Sequence, residues 1–283
     1  MNVGETERGM GTTWLLTDQR YLRQRMPEAL LDWLRSAGEP VEVVVGDLLV
    51  RDLDSAADPW AGLRRGDLVV ARTRHPFALA LLAEAELAGA RPLLSRAAIE
   101  AVRDKSASAR VLARAGLPAP STWLAAGPDA LRSLPETCFP LLLKPYLGDN
   151  GRGITLVRHR DGLADVDWTD GMALAQQYVD VGGIDCKLYV AGEQVWAVRR
   201  PSPLVEGGAD VSRPATVTPE LRALALACAA AFGLALCGID VLESPRGPLI
   251  VDVNDFPNYT GVPDAPAVIG GLVRQARHAA VAA

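Results

Sequence analysis

The sequence predicts an α/β protein in which a small open parallel domain is followed by a longer region of antiparallel strands and a few helices. Three observations carry this. Runs of branched apolar residues alternate with helical segments between residues 14 and 89, the pattern of parallel strands joined by crossover helices. From residue 138 onward the apolar runs have charged ends and are joined by short turns such as AGEQ at 191–194, which suits antiparallel pairing. Hydrophobic residues make up 49% of the 283 residues but aromatics only 5%, so the core must be built from layers of Ala, Leu and Val.

In chain order, WLLT at 14–17 reads as a first strand. MPEALLDWLRSAG at 26–38 reads as a helix with Pro27 near its start and Gly38 at its end, and VEVVVG at 41–46 as a second strand. DLVVAR at 67–72 is a third strand and precedes an Ala/Leu helix through 76–89. RDKSASARVLARAGLPAP then gives a helix carrying Lys105, a stop at Gly116 and a proline-bearing extended exit. CFPLLLKP, GITLVR, ALAQQYV and CKLYVAGEQVWAVRR read as strands, and helices at 219–232 and 265–279 flank strands at 236–242 and 248–254. The expected division is an N-terminal domain at 13–95, a central lobe at 96–175 and a C-terminal lobe at 176–283.

Composition narrows the function classes. A net charge of −5 argues against a broad nucleic-acid or acidic-membrane surface. Cys138, Cys186, Cys228 and Cys237 lack C-x-x-C spacing, and the three histidines lie away from them, so neither a zinc centre nor a Cys/His nucleophile pair is indicated. No apolar run reaches 18 residues without a charge, and the polar, Gly-rich N-terminus is unlike a secretory signal; a cytoplasmic location is expected.

The chemistry concentrates near the C-terminus. Asp240 ends GID at 238–240, and LIVDVN at 249–254 places Asp252 and Asn254 two apart on a buried strand, hence on one face. Alone, a D-x-N is more often a polar strand end or turn. Paired oxygen ligands beside a strand also suit Mg²⁺, which supplements carboxylates with substrate phosphates. LLLKPYLGDNGRG at 141–153 ends a strand with Lys144 and follows it with Gly148, Gly151 and Gly153, a stretch that serves either a plain turn or an anion cradle. It is neither a P-loop nor a dinucleotide fingerprint, because no Ser/Thr follows the lysine and no helix follows the glycines. Lys105, Lys187, Arg199 and Arg200 are further cations at element ends; individually each suits a solvated face, and together with the acids they suit a polyphosphate clamp.

These elements, in this order, resemble the ATP-grasp superfamily over about residues 96–262. A lysine after RD, a K-P strand end with a glycine loop, QQYV like the family's adenine hinge, a G-x-D-x-K strand, a basic strand end, and Asp followed by D-x-N all occur in family order. The resemblance implies an ATP-grasp fold: a parallel α/β domain before two α+β lobes that clamp ATP. It implies that Lys105 and Lys144 contact ATP phosphates, that Gly148, Gly151 and Gly153 belong to a lid, and that Gln176, Gln177, Tyr178 and Val179 hold adenine largely through backbone groups. It also implies that Asp240, Asp252 and Asn254 hold two Mg²⁺, and that Arg200, assisted by Lys187 or Arg199, serves the reaction.

Two branches share these features. RimK-type ligases join a small-molecule or peptide carboxylate to an amine through an acyl phosphate, and inositol trisphosphate kinases phosphorylate an alcohol. Three departures bear on the choice. Gln177 stands where the hinge commonly has Glu, Asp255-Phe256-Pro257 replaces the RimK-type Ser-Pro-Gly ending, and Val181 stands where the kinases carry a histidine that helps bind phosphorylated inositol. The missing histidine and the acidic chain lead to the ligase reading, with the kinase as its alternative.

Overall fold

The computed structural model describes residues 11–54, 60–147, 153–202 and 212–281. They form two compact units, Met1–Arg96 with Phe256–Ala283, and Ala97–Asp255.

The first unit starts with β1 (Thr13–Thr17), α1 (Gln19–Leu22), α2 (Arg25–Ser36), β2 (Val41–Val45), β3 (Leu68–Arg72), α3 (Pro76–Leu87) and β4 (Arg91–Pro92). Its sheet has the order β2-β1-β3-β4 with every pair parallel. β1 and β3 are buried along their whole length, as unbroken apolar runs in a parallel sheet require, whereas edge strand β2 buries only Val44. α2 turns Met26, Leu30, Leu31 and Leu34 inward at helical spacing. Asp67, just before β3, is buried and fully used: its carboxylate accepts from the Thr12 amide, the Trp14 indole and the Arg64 amide, each at 2.9 Å.

The second unit begins with α4 (Arg96–Arg103) and α5 (Lys105–Arg114). β5 (Thr122–Ala125), β6 (Leu141–Pro145), β7 (Thr155–Val157) and β8 (Ala173–Gln177) form a sheet in the order β5-β8-β6-β7, wholly antiparallel. One face carries Leu141, Leu143, Ala173 and Ala175 into a core with Leu131, Val157 and Leu163. The alternate residues Thr122, Lys144, Leu174 and Gln176 line a cavity of about 530 Å³ on the other face.

A second antiparallel sheet follows: β9 (Ile184–Ala191), β10 (Gln194–Pro201), β11 (Arg213–Ala215), then α6 (Pro219–Phe232), β12 (Leu236–Ser244) and β13 (Gly247–Asp255). Its order is β11-β10-β9-β12-β13. The β9–β10 turn is two residues long, with Gly192 at φ 57° supplying the left-handed step. α6 begins at the Thr218 cap, whose hydroxyl accepts from the Leu221 amide, and ends at Gly233 in the left-handed region, the limits the sequence predicts.

The last helix, α7 (Ala265–Val281), groups with the first unit. It packs on α2, and at Gly270 the approach is so close that a Cβ would lie 2.1 Å from Trp33 Cε3. Arg277, 1% exposed, donates to the Gly11 carbonyl at 2.9 Å and pairs with Glu39.

Candidate active site

The site is a consequence of strand register. Lys187 on β9, Asp240 on β12 and Asp252 on β13 are direct cross-strand partners, so they form one line across three strands and share a face. Asp185 lies two residues before Lys187 and opposite Arg200 of β10; Asn254 lies two residues after Asp252. Alternation therefore brings Asp185, Lys187, Arg200, Asp240, Asp252 and Asn254 to one face of the sheet. The pairing slips between Asp240 and Val241, where Asp252 and then Ile250 are the partners, so Val251 is an extra residue bulged beside Asp252.

The charges are closely paired. Lys187 Nζ donates to Asp240 at 2.9 Å and Arg200 Nη2 to Asp240 Oδ1 at 3.1 Å. Lys105 Nζ donates to Asp252 Oδ1 at 2.7 Å. Lys105 reaches this place because it opens α5: the Asp104 carboxylate caps the helix by accepting from the Ser106 and Ala107 amides, and the Lys105 amide donates to the Tyr146 carbonyl just after β6. Burial opposes the charge on Asp104, but those hydrogen bonds and that of the Ser106 hydroxyl hold its carboxyl below the usual range.

Lys144 is only 7% exposed. Its ammonium donates to Gln176 Oε1 at 2.6 Å and, at 3.4 Å, to the carbonyl of the bulged Val251. Burial pushes its pKa down to about 8, helped by Lys105 and opposed by Asp252 and Asp240. For Asp252 burial alone would raise the pKa, but Lys105 and the other lysines outweigh it and the carboxyl is held below its usual range. Asp185 goes the other way: burial, with Asp240 nearby, raises it against a hydrogen bond from Ser202 and the charge of Arg200.

The oxygen donors suit a hard dication. Asn254 Nδ2 is 3.5 Å from carboxylate oxygens of both Asp240 and Asp252, so three oxygen-bearing side chains converge. Half a turn of the amide presents its oxygen to the same point. Among the described residues no three His, Cys, Asp or Glu side chains gather into a metal-holding group. Two carboxylates and an amide are a set that phosphate oxygens and water would complete, which is how Mg²⁺ is commonly held.

Not every expected residue joins the cluster. Arg199 points to the opposite face, as its place between Val198 and Arg200 dictates, and binds Glu243 with two hydrogen bonds of 2.8 and 2.9 Å in an exposed pair. Gly148 and Gly151 lie outside the described residues. Gly153 is present at φ 70°, with the space for a Cβ taken by Pro145 Cγ at 2.9 Å. At the expected hinge the Gln177 amide donates to the Ser121 carbonyl at 2.8 Å and the Tyr178 amide to the Pro140 carbonyl at 2.9 Å. Three cysteines are buried, and burial pushes Cys186 up to about 11, Cys228 up to about 12 and Cys237 higher still, so these thiols suit packing rather than nucleophilic chemistry.

The structure adds residues that sequence reasoning left out. Asp185 is buried with Oδ1 lacking a hydrogen-bond partner, and its spacing of two from Lys187 was the available signal. Asp255, 3% exposed, accepts from Arg103 Nη2 at 3.1 Å and ties α4 to the end of β13. Nothing in the local sequence marks that pair, which spans 152 positions.

Known proteins resemble this chain in sequence and in fold. Residues 102–266 match the family model described as a RimK-like ATP-grasp domain. The chain is 35% identical over 221 residues to a ribosomal protein bS6–L-glutamate ligase of Salmonella paratyphi B, covering 72% of this chain and 73% of that protein. It is 34% identical over 218 residues to a probable alpha-L-glutamate ligase of Serratia proteamaculans, covering 71% and 72%. Among solved structures, a RimK domain ATP-grasp protein from Sphaerobacter thermophilus superposes with a TM-score of 0.71 at 21% identity, over 94% of this chain and 98% of that one. With Lys105 bonded to the line of paired acids and cations, Lys144 beside it, and these relatives, the chain belongs to the RimK-like ATP-grasp family.

Proposed function

We propose that the chain is an ATP-dependent carboxylate–amine ligase that forms an amide or peptide bond through an acyl phosphate. The observation that carries the reading is the single sheet face bearing Lys187, Arg200, Asp240, Asp252 and Asn254, with Lys105 bonded to Asp252 and Lys144 beside them. Family membership supports ligation over the kinase alternative.

In this reading Lys105 and Lys144 leave their present partners for the phosphates of ATP. Gly148 to Gly153 cover them as a lid, and the segment from Gln176 to Val179 borders the adenine. Mg²⁺, as two ions held by Asp240, Asp252 and Asn254, would neutralise phosphate charge. A substrate carboxylate attacks the γ-phosphorus, releasing ADP and giving the acyl phosphate. The amine then attacks the carbonyl, and Arg200 with Lys187 faces the oxyanion before phosphate leaves. Arg199, bound to Glu243 on the other face, has no part in these steps. Closure of the lid excludes water, which would otherwise hydrolyse the acyl phosphate.

The relatives named above are glutamate ligases, one of them acting on a ribosomal protein, and this favours a peptide or protein partner for one substrate. No helix of the described residues is long and apolar enough to cross a membrane. A cytoplasmic location, with no membrane or nucleic-acid partner, belongs to the same proposal and rests on the acidic composition. Lobe boundaries near residues 96 and 176 belong to the same proposal. The test is a mass-spectrometric screen of acid and amine pairs with MgATP. Condensation with one ADP and one phosphate per bond is expected, and a phosphorylated alcohol as the sole product would overturn it.

A further inference from the structure

Gln176 sits in the central strand β8, with Thr122 of β5 and Leu142 of β6 as its register partners on either side. Its backbone is engaged in the ladder, and its side chain, in a residue only 7% exposed, lies on the wall of the cavity shared with Lys105, Lys144, Val251 and Asp252. The amide is oriented by a directional chain. An ammonium can only donate, so the oxygen of Gln176 must face Lys144, at 2.6 Å. The nitrogen then needs an acceptor, and finds Thr122 Oγ1 at 3.3 Å. Thr122 can accept because its own proton goes to the Pro120 carbonyl at 2.9 Å. Each of these polar atoms is thus used with the correct sense, and one end of the chain is fixed to backbone.

We propose that Gln176 is a positioning residue that acts through Lys144: the Pro120–Thr122–Gln176 chain aims the buried ammonium into the cleft while leaving it free of an ion pair at that contact. A carboxylate in the same place would bind Lys144 as a salt bridge that an incoming phosphate has to break. A neutral amide occupies one of the three ammonium protons and leaves the other two for a phosphate. The role differs from a backbone contact to adenine, and it rests on the nucleotide site proposed above.

The experiment is a double-mutant cycle on nucleotide affinity, measured by calorimetry with ATP and Mg²⁺ and with thermal melting to verify folding. Gln176→Leu is expected to weaken ATP about tenfold to a hundredfold, the range for one charge-assisted hydrogen bond. In a Lys144→Ala background the same change should cost less than about twofold, because the group through which it acts is gone. Thr122→Val, which keeps the shape and deletes the hydroxyl, should weaken ATP in the same direction and be equally silent without Lys144; it also serves if Gln176→Leu does not fold. Equal losses in both backgrounds would leave Gln176 a packing residue and overturn the inference alone. Unchanged ATP affinity in Lys144→Ala itself would overturn the nucleotide site, and the inference with it.

Discussion

Lys105 and Asp252, 147 positions apart in the chain, meet at 2.7 Å. A lysine expected to hold phosphate and a carboxylate expected to hold metal are therefore each other's partner. Asp252→Asn should keep the fold, since the amide oxygen still accepts from Lys105, but abolish Mg²⁺-dependent ATP turnover, an amide being a poorer ligand for a hard dication. Full turnover in that variant would remove Asp252 from the metal set.

The two neighbouring arginines should separate cleanly. Arg200 donates to Asp240 within the cluster, whereas Arg199 binds Glu243 outside it. Arg200→Ala is expected to lower kcat by about a hundredfold or more, the usual loss for one oxyanion donor. Arg199→Ala should stay within about twofold, because an exposed ion pair contributes at most about 1 kcal/mol to stability. Steady-state kinetics of the two variants side by side decides the assignment.

Lys144 sets a pH dependence. Its folded pKa of about 8 lies below the ordinary lysine value of 10.5, with burial the main cause. The unfolded chain therefore holds this proton more tightly, and the contribution of Lys144 to stability rises with pH between about 8 and 10.5, by up to about 3 kcal/mol. Nucleotide affinity runs the opposite way: it should weaken as pH rises through 8 and the ammonium is lost. Calorimetric titrations from pH 7 to 9.5 should show that break in the wild type and not in Lys144→Arg, whose charge does not titrate there.

The helix pair α2 and α7 gives a prediction independent of the site. Gly270→Ala puts a methyl where Trp33 already lies, 2.1 Å from its ring, so overpacking should destabilise the protein by about 1–3 kcal/mol. Urea unfolding measures it, and a midpoint equal to the wild type would show that the helices separate freely.

What could be read from the sequence followed local physics. Asp252 and Asn254 were placed on one face by the two-residue strand repeat, and α6 was read at 219–232, between the Thr218 and Gly233 caps that act within a turn of themselves. The line of Lys187, Asp240 and Asp252 was not legible, because register between strands 53 residues apart depends on partners and on the bulge at Val251 rather than on either segment alone. The same holds for the side chain of Gln176, read as part of a hinge and found bonded to Lys144, and for α7, whose apolar pattern cannot say that it returns to α2. Short edge strands such as β5 and β11 carry too few residues for a period to emerge.

The central claim is that the cluster makes an acyl phosphate, an electrophile that a small nucleophile intercepts. Incubation with MgATP, a substrate carboxylate and hydroxylamine in place of the amine should yield a hydroxamate with stoichiometric ADP and phosphate, and Asp252→Asn should yield none. A phosphate ester of an alcohol, with no hydroxamate from any carboxylate that stimulates ATP consumption, would contradict the account.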